Sequence, residues 1–110
     1  MAELYINIGR MHQRLGEFPR ALEYYTKALE IRQKSLPSNH PDLAMSYSNL
    51  GTLYSDMRDF PKATEYLQKA YEMFRKSLPP FHTSLMMCNN NLGVLSMQMG
   101  EYAKALKYFE

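Results

Sequence analysis

Residues 28–44 read ALEIRQKSLPSNHPDLA, and residues 70–86, 42 positions further on, read AYEMFRKSLPPFHTSLM. Lys34-Ser35-Leu36-Pro37 returns as Lys76-Ser77-Leu78-Pro79, and His40 returns as His82. Each stretch reads as a helix end, a proline-bounded turn and the start of another helix. A fixed period of this size marks a tandem array in which each unit buries its apolar face against its neighbours. The expected units are 1–40, 41–82 and an incomplete 83–110, forming one domain.

Outward from that junction, apolar residues recur at helical spacing. Tyr5, Ile8, Gly9 and His12 fall at i, i+3, i+4 and i+7, with Leu4, Met11 and Leu15 widening the stripe. Glu3, Asn7, Arg10 and Arg14 lie opposite, with Ile6 among them. Gly16 is a position tolerant of left-handed backbone and predicts a helix stop. Pro19 fits the first turn of the next helix, which carries Ala21, Leu22, Tyr25, Ala28, Leu29 and Ile31 to about Ser35.

The second unit predicts helices over about 41–57 and 60–77, and the third begins near Thr83, with its second helix from Glu101 to the last residue, Glu110. Arg58 stands where the other units have Gly16 and Gly100, so a left-handed conformation there costs about 1 kcal/mol. Gly9 and Ala21, Gly51 and Ala63, and Gly93 and Ala105 are each 12 residues apart, small pairs that let two helices approach closely. Tyr24, Tyr25, Tyr66, Leu67, Tyr108 and Phe109 fill the spaces between pairs. No alternating apolar run survives the glycine and proline punctuation, which argues against strands.

Composition narrows the function. A formal net charge of +2 is too small for phosphate-driven nucleic-acid binding. No apolar run has the length of a membrane span, and no leader pattern opens the chain. One cysteine, Cys88, allows no intrachain disulfide and suits a reducing, cytoplasmic setting. His40 and His82 recur inside the linker and point to a turn or capping role, and His12 sits at a packing position. No carboxylate or cysteine lies at ligand spacing from any histidine, and there is no phosphate-binding glycine loop. The expectation is a non-enzyme without metal or cofactor.

Each unit resembles the tetratricopeptide repeat, on the residues Tyr47, Leu50-Gly51, Tyr54, Ala63, Leu67 and Ala70. The 42-residue period and "ALEIRQKSL…NHPDLA…SNLGTLY" are similar to the kinesin light chain type of array. The sequence departs from the pattern at Arg58, at Asn89 and Ser96 in place of aromatic residues, and at Phe81-His82-Thr83-Ser84. The resemblance implies an all-α, right-handed solenoid of about two and a half stacked helical hairpins, whose first helices line a concave groove.

Asn7, Asn49 and Asn91 occupy that groove face once per unit. Asparagine is a poor helix former, and its amide offers both a donor and an acceptor to a peptide backbone. The alternative is that each amide bonds a neighbouring helix and fixes the stacking. In the resembled family these asparagines hold extended peptides.

The expected peptide site comprises Asn7, Arg10, Arg14, Met45, Asn49, Thr52, Met87, Asn90, Asn91 and Val94. Arg10 and Arg14 make the first unit basic. Thr52 and Asp56, then Val94 and Gln98, replace them further along, and Met87, Val94 and Met97 make the far end apolar. An extended peptide with its acidic end at the first unit is the expected ligand. The clamp that the family uses for acidic chaperone tails is missing: Asn49 matches, but Ile6, Arg10, Met87 and Asn91 occupy its other positions. The competing expectation is a structural spacer that self-associates through exposed end repeats. Met11, Met57, Met73 and Met99 are assigned to core stripes, Met45, Met87 and Met97 to the outward face, and Cys88 to a helix flank.

Overall fold

The periodicity produces six helices in a computed structural model that describes residues 1–79 and 82–109. They are α1 (Ala2–Arg14), α2 (Phe18–Ser35), α3 (Pro41–Asp56), α4 (Phe60–Ser77), α5 (Thr83–Gln98) and α6 (Tyr102–Phe109). Among the described residues there is no strand. Phe81, part of the altered linker, and the terminal Glu110 lie outside the described residues.

The helix ends follow from local chemistry repeated three times. After α1, the Gly16 N–H donates to Gln13 O (3.1 Å) and the Glu17 N–H to His12 O (2.8 Å). After α3 the same pair runs from Arg58 to Ser55 O (3.1 Å) and from Asp59 to Tyr54 O (2.9 Å). After α5 it runs from Gly100 to Met97 O (3.0 Å) and from Glu101 to Ser96 O (2.8 Å). This closure requires left-handed backbone at its centre, and φ is +79° at Gly16 and Gly100 and +67° at Arg58. Arg58 therefore adopts the conformation its position dictates despite carrying a side chain.

The second helices stop differently. Leu36 and Leu78 turn extended just before Pro37 and Pro79, as residues preceding proline do. His40 and His82 then cap α3 and α5, each Nδ1 accepting the N–H of the residue two positions on, Asp42 at 3.0 Å and Ser84 at 3.1 Å. The recurring histidines are caps.

Consecutive helices form hairpins stacked side by side. Ala21, Ala63 and Ala105 are buried where the two helices of each unit approach. A Cβ on Gly51 would lie 2.7 Å from Leu67 Cγ, so only glycine permits that separation. Tyr25, Ala28, Leu29, Leu43, Tyr47, Leu50, Leu53, Ala70 and Phe74 belong to a continuous core that runs from the first unit into the third, where it takes in Leu85 and Cys88.

Several faces differ from the sequence expectation. Ile6 is a core residue, 6% exposed, not part of the outer face. Leu4, Met11 and Leu15 are exposed, at 53%, 66% and 72%. Met99 is exposed too, whereas Met73 is buried and Met57 packs on the core as expected. The cause is one of register: Leu4 and Met11 correspond to Ser46 and Leu53 of α3 and to Cys88 and Leu95 of α5, all buried. A first helix has two packing faces, and nothing among the described residues covers the second face of α1. Cys88 and Ser48 are buried for the same reason, so Cys88 is a core thiol rather than a flank residue.

Candidate peptide groove

The groove face is built by α1, α3 and α5 lying side by side. Two hydrogen bonds hold their C-terminal ends in step. Gln13 Nε2 donates to Asp56 Oδ2 at 2.7 Å, and Ser55 Oγ donates to Gln98 Oε1 at 2.9 Å. Each bond spans 43 residues, and Gln13 and Ser55, like Asp56 and Gln98, occupy equivalent positions. These rungs escaped the sequence reading; their only signal is a polar pair one residue longer than the repeat.

Between α3 and α5 lies a depression of about 180 Å³ lined by Thr52, Ser55, Asp56, Asn91, Val94 and Gln98, with Leu67 at its floor. Thr52, Asn91 and Val94 of the expected site are thereby brought together. Thr52 Oγ1 donates to Asn49 O at 2.9 Å. The amide Nδ2 of Asn49 is buried without a hydrogen-bond partner. Asn7 is exposed on α1, and Asn90 faces a separate cavity with Met86, Tyr108 and Phe109. Met87 and Val94 are exposed, at 51% and 41%. Met45 is not: it is partly buried against the core, because its helix is flanked on both sides.

Arg10 and Arg14 are exposed, and among the described residues neither forms an ion pair; Glu17 pairs with His12 instead, at 2.9 Å. His12 packs as expected, its ring stacked on Tyr24 at 5.6 Å. Gln13 links the first unit to the second through Tyr25, whose hydroxyl donates to Gln13 Oε1 at 2.7 Å. Burial raises the pKa of Tyr25; nearby Arg10 and Arg14 act to lower it and Asp56 to raise it. Asp56 thus sits close enough to the arginines to share one electrostatic neighbourhood. The basic end of the groove carries two cations and one carboxylate, a smaller excess than the one-dimensional ordering implied.

At the opposite ends of the helices, Arg32 reaches from α2 into the junction with α3. Its Nη1 donates to Asp42 O (2.7 Å) and Ser46 Oγ (3.0 Å), and Arg32 is only 9% exposed. The equivalent positions one unit on are Phe74 and Cys88, both buried in the apolar core. Burial pushes the Cys88 thiol up to about 11, with Ser48 beside it acting weakly the other way. No cluster of histidine, cysteine and carboxylate able to hold a metal occurs among the described residues. No described helix is long and apolar enough to cross a membrane.

A tetratricopeptide repeat model matches residues 1–76, and a second tetratricopeptide repeat model matches residues 88–110. No curated protein matches the chain. Among solved structures, a putative kinesin light chain with nearly identical TPR-like repeats from Podosopora anserina superposes with a TM-score of 0.86 at 23% identity, over 96% of this chain and 50% of that one. BtubC (BKLC) from P. vanneervenii gives 0.80 at 26% identity, over 96% and 42%. The apo form of RapI gives 0.83 at 30% identity, over 98% and 29%. This chain therefore spans half or less of each of those structures. The two family matches, the 42-residue period and the stacked hairpins agree: the chain belongs to the tetratricopeptide repeat family, with a fold similar to that of the kinesin light chain-like array.

Proposed function

We propose that this chain is a non-catalytic protein-interaction scaffold whose α1–α3–α5 face holds an extended peptide. The observation that carries the reading is Asn49. Its amide N–H is desolvated with no acceptor, a state that costs about 1–3 kcal/mol. A structural ladder in which each asparagine bonds a neighbouring helix would have satisfied it. A peptide carbonyl lying along the groove supplies the missing acceptor once the side chain turns toward it. Arg10 and Arg14 of the first unit, with Asp56 of the second beside them, leave that end of the face with a net positive charge, which favours an acidic segment there. Exposed Met87 and Val94 favour apolar side chains at the other end.

The test is a fluorescently labelled decapeptide with glutamates at one end and leucines at the other, compared with its all-glutamine counterpart. Arg10→Ala with Arg14→Ala should weaken the acidic peptide by about 2–10-fold and flatten its salt dependence, since exposed pairs contribute about 0.2–1 kcal/mol and are screened. Asn49→Ala should weaken both peptides by a similar factor, because it contacts backbone. Unchanged affinity and salt slope after removing both arginines would refute the charge polarity. An unchanged response to Asn49→Ala would refute the amide's role.

A second reading, self-association, rests on a separate observation. Leu4 and Met11 expose the surface whose counterparts in α3 and α5 are buried against another helix. Leu4→Glu with Met11→Lys should abolish any concentration-dependent dimer in sedimentation velocity; a wild-type chain that stays monomeric at high concentration removes this reading.

A further inference from the structure

The rung at the first junction is built differently from its counterpart at the second. At the second, Ser55 Oγ donates to Gln98 Oε1 at 2.9 Å, with Leu67 at the floor beneath them. At the first, the corresponding residues are Gln13, Asp56 and Tyr25, and they form a relay. The Tyr25 hydroxyl donates to Gln13 Oε1 at 2.7 Å, and Gln13 Nε2 donates to Asp56 Oδ2 at 2.7 Å. Tyr25 is 2% exposed, and burial raises its pKa, so the hydroxyl stays protonated and able to donate. A carboxylate only accepts. Asp56 therefore takes the NH₂ end of the amide, the oxygen end is left for Tyr25, and with both ends held the amide has one orientation.

Charge accompanies the relay. Arg10 and Arg14 stand where α3 has Thr52 and Asp56, and both arginines act with Asp56 on the Tyr25 hydroxyl. Neither arginine forms an ion pair among the described residues, although Asp56 is exposed beside them. Asp56 is bound to Gln13 instead. Keeping the helices in step needs no such relay: Ser55 and Gln98 do it without charge and over an apolar Leu67.

We infer that Gln13, locked by Tyr25, is a positioning residue that sets the groove's selectivity for acidic ligands by holding the Asp56 carboxylate off Arg10 and Arg14. Released from Gln13, Asp56 is an intramolecular carboxylate, present at the arginines at high effective concentration, and a ligand carboxylate has to displace it. Tethered, it leaves both guanidinium groups open to the ligand. This role deepens the acidic-segment reading of the groove, and its peptide readout rests on that reading; the state of the arginines does not.

Gln13→Met keeps the side-chain length and removes the donor. Without any ligand, the Nε–H signals of Arg10 and Arg14 in a ¹⁵N spectrum report their pairing. They should exchange rapidly with water in the wild type, and at least one should shift and exchange more slowly in Gln13→Met. Adding Asp56→Asn should reverse that change. With ligand, the probes are the glutamate-ended decapeptide and its all-glutamine counterpart. Gln13→Met should lower the ratio of their affinities by about 1.5- to 5-fold, the range of one exposed ion pair. Asp56→Asn alone should raise the ratio, and in that background Gln13→Met should no longer change it. A purely structural rung would weaken both peptides alike and leave the ratio unmoved. Tyr25→Phe, which removes only the hydroxyl, should act in the same direction and makes the test should Gln13→Met misfold. Arginine signals unmoved by Gln13→Met, an unmoved ratio, or a fall in the ratio that persists without the Asp56 carboxylate would each overturn the inference. Binding of neither peptide refutes the groove reading instead, and the arginine signals then decide the inference alone.

Discussion

Arg58→Gly should stabilise the protein. Arg58 is the non-glycine residue with positive φ (+67°) among the described residues, and its counterparts Gly16 and Gly100 hold +79°. Left-handed backbone costs a residue with a Cβ about 1–2 kcal/mol, and glycine's greater freedom in the unfolded chain returns roughly 0.5–1 kcal/mol of that. Little else is lost, because Arg58 is exposed and its side chain forms no ion pair among the described residues. The net gain is about 0.5–1 kcal/mol, or roughly 2–6 °C in Tm for a chain of this size. Gly16→Ala is the mirror experiment: an added Cβ meets nothing within 4 Å, so any loss is backbone strain alone. Urea and thermal denaturation of both variants give the two signs. A lower Tm for Arg58→Gly, with the Asp59 amide still protected from exchange, would refute the reasoning.

Arg32→Ala should cost about 2–4 kcal/mol in urea unfolding, since it leaves a buried junction without two charge-assisted hydrogen bonds. Arg32→Phe with Ser46→Cys, which installs the Phe74 and Cys88 pattern of the next junction, should recover part of that loss. Cys88 should resist a thiol reagent at pH 8 until the chain unfolds, because at a pKa of about 11 only roughly 0.1% is thiolate. Its folded pKa is raised, so its contribution to stability is complete below about pH 9 and fades as pH rises through about 11, readable as a falling urea midpoint. Gly51→Ala should destabilise: overpacking against Leu67, 1% exposed, costs about 1–3 kcal/mol and outweighs a helix-propensity gain of about 1. Gly93→Ala should be neutral or stabilising by thermal denaturation, because the Phe109 ring it meets is 46% exposed and can swing away.

The helix boundaries and the repeat were legible because their causes are local. Gly16, Gly100, Pro37, Pro79 and the capping histidines act within a few residues of themselves. Arg58 was legible because the register said what its backbone must do. The faces of the first helices were not. A lone amphipathic helix has one apolar stripe, but a helix inside a stack is buried on two sides, and helical spacing alone does not say which side has a neighbour. Ile6, Met11, Met45 and Cys88 were misplaced for that single reason. The rungs Gln13–Asp56 and Ser55–Gln98 were hidden differently, since polar pairs between units carry no apolar signature.

The same register that builds the array also makes its two junctions unlike. At the first, Arg32 and Gln33 reach across to Asp42, Ser46 and Tyr47 through hydrogen bonds with defined directions. At the second, the corresponding residues Phe74, Arg75, Ser84, Cys88 and Asn89 form no such set among the described residues: Phe74 and Cys88 pack as apolar groups, and Arg75 pairs with Glu72 of its own helix at 2.9 Å. Burial of apolar surface is non-directional, so the second junction is held by packing where the first is held by geometry. Both junctions share the rung at the other end of the helices, which keeps α1, α3 and α5 in step along the groove. On the outer face, Tyr47 of the first junction has Asn89 as its counterpart at the second. Three copies of one pattern therefore yield first helices aligned throughout and two junctions held by different forces, and that asymmetry is written in the few positions where the copies disagree.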